Sequence, residues 1–305
     1  MNVLNLLKKV GCICLTLLLV TPFISCDSSD DSIRFGMITD LHFAHRSQLN
    51  TRHYEDSKQK AEIAIQEFRK HDLDFVIELG DLKDMGVPPQ KEETLSFLKE
   101  IEACLQTYGT PFYHVLGNHD MDNISKKEFL SQITNPGDAN GKNYYCFIKK
   151  GIKFIVLDAN YNADQSDYDA GNFNWEVALI PDEEMKWLEK ELNSGDELII
   201  IFCHQLLDSD SPLYKGLFVK NAKEVNELLV ASKKVLAVFQ GHHHAGNYSI
   251  QNGIHYFTLK GMIEGALSEK NSYAVVEIRP NGDILVDGFA DCPDQILRRT
   301  SHNYN

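Results

Sequence analysis

The chain has 305 residues, 43% of them hydrophobic and 24% charged, with a formal net charge of −14. That is enough apolar material for one large globular domain with a sizeable core, and too much for a chain that stays unfolded. An acidic body with no basic run repels nucleic acid and anionic lipid, which disfavours a nucleic-acid binder.

At the N-terminus, Lys8 and Lys9 precede an apolar run over 10–20 that is too short to span a bilayer as a mature helix. The run ends with Ser25 before Cys26. A small residue before a cysteine at this place resembles a bacterial lipobox, in which the cysteine is lipidated and becomes the new N-terminus; in a plain signal peptide Cys26 is incidental. The acidic stretch from Asp27 to Asp31 resembles the export tag of some surface lipoproteins. The expected organisation is a lipoprotein signal peptide over 1–25, an acidic tether over 26–32 and a single domain over 33–305. The expected location is the outer membrane, as an exported bacterial lipoprotein. Cys12 and Cys14 leave with the leader, and Cys104, Cys146, Cys203 and Cys292 show no CxxC spacing. Cys203 sits inside an apolar run and reads as buried.

Strand-like and helix-like segments then alternate. Residues 33–39 form an apolar run of strand length, and 54–70 carry Ala61, Ile65 and Phe68 at helical spacing. Residues 75–79 are strand-like. Residues 91–107 put Leu95, Leu98, Ile101 and Leu105 on one helical face before Gly109, and 112–116 give a third strand. A hairpin follows over 144–157, turning at Lys149-Lys150-Gly151. Residues 159–180 are polar and rich in Asn and Asp, a long loop of the kind that often carries function. Pro181 opens a helix, 198–203 is a buried strand, 221–232 a helix and 235–239 a strand. Two β-ribbons close the chain, the second turning at Pro280-Asn281-Gly282-Asp283.

Five short blocks hold nearly all residues suited to divalent metals: Asp40-Leu41-His42, Gly80-Asp81, Gly117-Asn118-His119-Asp120, His204 and Gly241-His242-His243-His244. Each begins where a strand-like run ends, the edge of an open α/β sheet at which sites gather. Carboxylate, amide and imidazole together suit Mn, Fe or Zn better than Ca.

In this order and spacing the five blocks resemble the calcineurin-like metallophosphoesterase family from Asp40 through His244. The GNHD block is the most specific piece and GHxH the next. The resemblance implies an α/β fold: a β-sandwich of two mixed sheets flanked by helices, in four αββα layers. It implies two divalent metal ions, most readily Mn, with Fe or Zn as alternatives. Asp40, His42 and His244 hold one; Asn118, His204 and His242 hold the other; Asp81 bridges them. Two ions so bridged hold one substrate phosphate and activate a water. His119 becomes the general acid or charge stabiliser at the leaving oxygen, with Asp120 orienting its imidazole. His243 is expected to point away from the metals. His71, His114, His255 and His302 read as satisfied surface residues, while His45 and His53 stay open between surface and substrate contact.

Further stretches are similar to the manganese-dependent ADP-ribose/CDP-alcohol diphosphatase group: 35–40, Tyr144-Tyr145, 154–159, Trp187-Leu188, 246–249 and 259–264. Arg52 and Asn123 stand where that group has Arg and Asn, which implies contacts to phosphate or ribose. Arg46, Arg52 and Lys220 read equally as anion binders or solvated charges. GNHD departs from the group's GNHE by one methylene, and the 45–52 and 159–180 loops match poorly. The implied activity is a dinuclear-metal diphosphatase of nucleoside-diphosphate compounds acting on a small-molecule phosphate. A cyclic-nucleotide or general phosphodiesterase is the enzymatic alternative, and a surface binding lipoprotein the non-enzymatic one.

If Cys26 carries the anchor, Cys26→Ala moves the protein from the membrane fraction to the soluble exported fraction. Fractionation followed by immunoblotting checks this, and a variant still in the membrane counts against the lipobox.

Overall fold

The computed structural model describes residues 31–300; the expected leader, Cys26, the acidic run up to Asp30 and His302 lie outside the described residues. Strands that are apolar on both faces must be covered on both sides. Three such strands, β1 (Ile33–Ile38), β2 (Phe75–Glu78) and β3 (Phe112–His114), pair in parallel. Their crossovers carry the helices α1 (Asp56–Phe68) and α2 (Lys91–Gln106). After the short helix α3 (Lys126–Leu130), the chain enters a second sheet through the hairpin β4 (Tyr145–Lys149) and β5 (Ile152–Val156). There β5, β6 (Leu198–Cys203), β7 (Val235–Gln240) and β9 (Ile254–Thr258) run parallel, with β4 and β8 (Asn247–Gln251) antiparallel at the edges. Helices α4 (Asp182–Asn193) and α5 (Ala222–Ser232) connect them. The chain then returns to the first sheet as β10 (Ser272–Ile278), β11 (Ile284–Ala290) and β12 (Gln295–Leu297), with β10 antiparallel to β1. The two six-stranded sheets have the orders β12-β11-β10-β1-β2-β3 and β4-β5-β6-β7-β9-β8.

Aromatic rings join the sheets face to face. Phe35 stacks on Phe75 at 4.9 Å and meets Phe154, Phe202 and Phe239 edge-on at 5.7–6.0 Å, the offset and T-shaped geometries that ring quadrupoles favour. On the outer faces, Ala61, Ala64, Ile65 and Phe68 of α1 cover the first sheet. Leu188 and Leu192 of α4 and Val225 and Leu229 of α5 cover the second. A side chain at Gly36 would meet the Phe68 ring at 2.9 Å, so this glycine lets α1 lie close on β1. The architecture is the expected four-layer αββα sandwich.

The differences from expectation have local causes. The folded body includes Ser32, which is buried and whose carbonyl accepts from Lys150 Nζ, so packing begins inside the expected tether. Helix α3 is too short to show a period; a capping box between Ser125 and Glu128 starts it. His114 and His255, expected at the surface, are buried. His114 lies between Glu78 and Glu102 at 3.5 and 3.2 Å, and His255 bonds Tyr248 Oη and the Arg298 carbonyl. Both stand on strands with inward faces, where carboxylates or carbonyls satisfy the ring. The four described cysteines are free. Among the described residues no helix is long and apolar enough to cross a membrane.

Candidate metal centre

The site begins in the backbone at the strand ends. Asp40 (φ 51°), His42 (φ 46°), Asp81 (φ 59°) and His242 (φ 67°) all lie in the left-handed region, which costs a non-glycine residue on the order of 1–3 kcal/mol. Hydrogen bonds hold them there: Asp40 N donates to the Gly80 carbonyl and His42 N to the Asp81 carbonyl. The glycines of the motifs are steric. At Gly80, φ is 101° and a Cβ would sit 2.6 Å from the His204 ring. At Gly117 a Cβ would overlap the Asp81 amide and carboxylate.

Ligand atoms of Asp40, His42 and His244 gather within 4.8 Å of one another, and so do those of Asp81, His204 and His242. Asp81 joins the two groups. Its Oδ2 lies 3.4 Å from His42 Nε2 and 3.2 Å from His204 Nε2, while its Oδ1 accepts from the His119 amide at 2.7 Å. Asn118 is buried and lines the same cavity as Asp81 and His242. The seven expected ligands therefore converge, as two clusters with one shared carboxylate.

Whether cations fit is decided by the orphaned atoms. Asp40 Oδ1, Asn118 Oδ1, His204 Nε2 and His242 Nε2 are buried with no hydrogen-bond partner, which is rare for buried polar atoms in a folded protein. All four belong to expected ligands and can bind a cation once free of protons, and the mixture of carboxylate, amide and imidazole fits Mn, Fe or Zn. Burial opposes ionisation of Asp40, yet His244, His42 and His204 keep it well below the usual carboxylate range. Burial likewise opposes charge on His204, and Asp81 and Asp40 outweigh it, raising the imidazole to about 9. His242 is pushed down to about 3 by burial and by His204. Metal binding must displace the proton held by His204.

In three of the four histidine ligands the other ring nitrogen faces an oxygen from behind, which leaves Nε2 towards the cluster. His204 Nδ1 bonds the Leu79 carbonyl at 2.8 Å and His244 Nδ1 bonds Glu264 at 2.7 Å. His42 Nδ1 lies 3.4 Å from Asp84. Asp84 lies outside the five metal-binding blocks, and Glu264 enters the sequence reading only as the end of the 259–264 stretch, with no role assigned. Lone carboxylates in an acidic chain carry no spacing signal, and only the need of each histidine for a rear partner points to them.

His119 reaches the same cavity, with its ring centroid 4.6 Å from that of His42. Its Nδ1 bonds Asp122 at 2.8 Å, not Asp120, and this corrects the expected orienting residue. The reason is the 3₁₀ turn over Asn118–Met121, in which positions i and i+3 fall on one side. Asp120 faces inward. It accepts from the amides of Gly117, Asp81 and Leu82 at 2.8–3.2 Å, and so clamps two metal-binding loops together. Burial resists protonation of His119, but Asp122, Asp81 and Asp84 raise it to about 10.

Arg52 lines the cavity, which measures about 350 Å³ and also takes in Trp175 and Leu217. Asn123 does not line it, and its buried Oδ1 has no partner. His243 is half-buried and belongs to neither cluster. His45 pairs with Glu100 and His53 lies near Asp56. Arg46 is occupied by Asp84, the Met85 carbonyl and the Tyr54 ring.

The profile of calcineurin-like phosphoesterases matches residues 33–246, which include all five metal-binding blocks. The chain belongs to the calcineurin-like phosphoesterase family. It is similar to the manganese-dependent ADP-ribose/CDP-alcohol diphosphatase of Oryza sativa subsp. japonica, at 26% identity over 88% of this chain and 95% of the relative. It is similar to a probable cyclic nucleotide phosphodiesterase of Fibrobacter succinogenes, at 24% identity over 70% and 73%. A dimetal phosphatase from Danio rerio shares the fold, with a TM-score of 0.74 and 20% identity over 88% of this chain and 99% of that structure. This calcineurin-like phosphoesterase is a metal-dependent phosphohydrolase that takes two divalent ions. The reading as a binding lipoprotein without catalysis finds no support.

If His119 donates a proton through Nε2, Asp122→Asn lowers kcat on alkyl phosphodiesters by about 10–100-fold, the scale of losing such a rear partner. Its effect on nitrophenyl esters, whose leaving group needs no proton, is small. A general acid is active below its pKa, and removing the Asp122 charge lowers that pKa. The alkaline limb of kcat/KM therefore moves to lower pH; a shift to higher pH contradicts the pairing.

Proposed function

We propose that this phosphohydrolase cleaves the diphosphate of nucleoside-diphosphate compounds of the ADP-ribose or CDP-alcohol type, releasing a nucleoside monophosphate and a phosphorylated product. The observation that carries the reading is what stands around the ligands. Arg52 lines the metal cavity with no hydrogen bond or ion pair from its guanidinium among the described residues, a free cation beside the place of the scissile phosphate. Guanidinium groups match phosphate oxygens in pairs, and a diphosphate brings a second phosphate to bind. The same cavity takes in the exposed Trp175, which has a second exposed aromatic, Tyr214, beside it. Trp175 is 40% and Tyr214 60% exposed, their rings 6.4 Å apart, and Trp175 lies 5.8 Å from the His242 ring. Tyr214 Oη donates to Glu176 at 2.6 Å, which steadies the pair. Exposed rings at the mouth of a polar site offer a nucleobase stacking worth about 1–3 kcal/mol.

Bound divalent ions supply Lewis acidity to the phosphate and lower the pKa of water. The rest falls to the protein. Hydrolysis joins the water oxygen to one phosphorus and breaks its bond to the bridging oxygen. His119 Nε2 carries the proton that the leaving oxygen takes up, Arg52 balances the second phosphate and Trp175 holds the base. Relatives named as diphosphatases support this reading more than those named for cyclic nucleotides, which cover less of the chain. We also infer an exported, lipid-anchored location, which rests on the sequence around Cys26 alone.

On this reading, ADP-ribose or a CDP-alcohol exceeds cyclic AMP in kcat/KM by at least about tenfold, or ~1.4 kcal/mol of transition-state binding. Trp175→Ala raises KM for the nucleotides and leaves bis(4-nitrophenyl) phosphate unaffected. Steady-state kinetics on this panel decide the matter, and cyclic AMP as the best substrate would falsify the diphosphatase reading.

A further inference from the structure

Behind His244 lies a second cavity, of about 450 Å³, within the size range of small-molecule sites. Its chemistry comes from His244, Glu264, Lys260, Lys270, Ser272 and Asp291. His244 also lines the metal cavity, and Glu264 bonds its Nδ1, so the two cavities share a metal ligand as a wall.

The wall is built and held. Lys60 of α1 is fully buried, and its ammonium donates to the carbonyls of Met262, Glu264 and Gly265 at 2.6–3.1 Å. This fixes the loop that carries Glu264. Asn271 donates to the Lys60 carbonyl and accepts from the Ser272 amide, which ties the opposite wall to the same helix. Apart from the His244–Glu264 pair, the groups on this frame are not spent on one another. Lys260, Lys270 and Asp291 form no side-chain hydrogen bond or ion pair among the described residues. Ser272 is 2% exposed, and its Oγ is buried with no partner.

We propose that this cavity is the subsite for the non-nucleoside half of the substrate and that it selects a polyhydroxylated group, a sugar or polyol, over a quaternary ammonium alcohol. The proposal rests on the diphosphatase reading above. Two ammonium donors, the Asp291 carboxylate and Glu264, which bonds His244 through Oε1, line the cavity together, with the unpartnered Ser272 hydroxyl in its wall. A sugar hydroxyl both donates and accepts, so it pairs with either kind of group. A trimethylammonium head does neither and favours aromatic faces; apart from the His244 imidazole, no aromatic ring among the described residues lines the cavity.

CDP-glucose and CDP-choline share their nucleoside and diphosphate and differ only in the second half. The manganese-loaded enzyme is expected to prefer CDP-glucose in kcat/KM by at least about tenfold, since a site built for hydroxyls rejects a group that cannot pair with it. Lys260→Met and Asp291→Asn are each expected to raise KM for CDP-glucose several-fold with kcat nearly unchanged. Turnover of CDP-choline and bis(4-nitrophenyl) phosphate stays as in the wild type, which reports intact folding. Should Lys260→Met misfold, Lys270→Met, at an exposed position, makes the same test. Equal use of the two CDP compounds, or equal losses on both in the variants, overturns the subsite alone. A wild type that cleaves bis(4-nitrophenyl) phosphate but neither CDP compound overturns the diphosphatase reading as well.

Discussion

The site depends on how Asp81 divides its two carboxylate oxygens. Oδ1 is held by the His119 amide, and Oδ2 looks between His42 and His204, one histidine from each cluster. A buried carboxylate facing imidazoles on both sides needs positive charge there, as protons or as cations. The surroundings serve this placement. Gly80 and Gly117 leave space that a Cβ would fill, and Asp120 gathers the amides on either side of the junction. Removing any of these moves the one group that both clusters share.

The cost of the arrangement is borne by the sandwich. Four ligand residues sit at positive φ, and four buried ligand atoms have no hydrogen-bond partner. Such features persist where packing around them is strong enough to hold them. Here the Phe35 cluster between the sheets and the helices outside them provide that packing, while His204 on β6's end bonds the Leu79 carbonyl after β2. That hydrogen bond, with the one from His242 N to Asp40 Oδ2, ties the two sheets together at the metal centre. Bound cations would satisfy the orphaned atoms, so the fold gains stability from its metals.

Much of this was legible in the chain because the chemistry follows the strands. β1, β2, β3, β6 and β7 each end one to four residues before a ligand, and the order of blocks carried the family likeness. What stayed hidden acts through a ligand or across space. Asp84, Asp122 and Glu264 each stand behind a histidine, and nothing in spacing separates them from other acids. Asp120 misled because adjacency along the chain is not adjacency in a 3₁₀ turn. His114 and His255 looked like surface residues because the carboxylates and carbonyls that receive them come from distant segments. The cavity behind His244 needs residues 260–291 folded against α1, so no local pattern announces it.

The central claim is that one carboxylate organises two cations. Its most direct test is anomalous diffraction from crystals of the manganese-reconstituted protein. Two manganese sites per chain ~3.5–4 Å apart, with Asp81 between them, are the predicted result. A single site, or two sites with Asp81 bound to only one of them, contradicts the account.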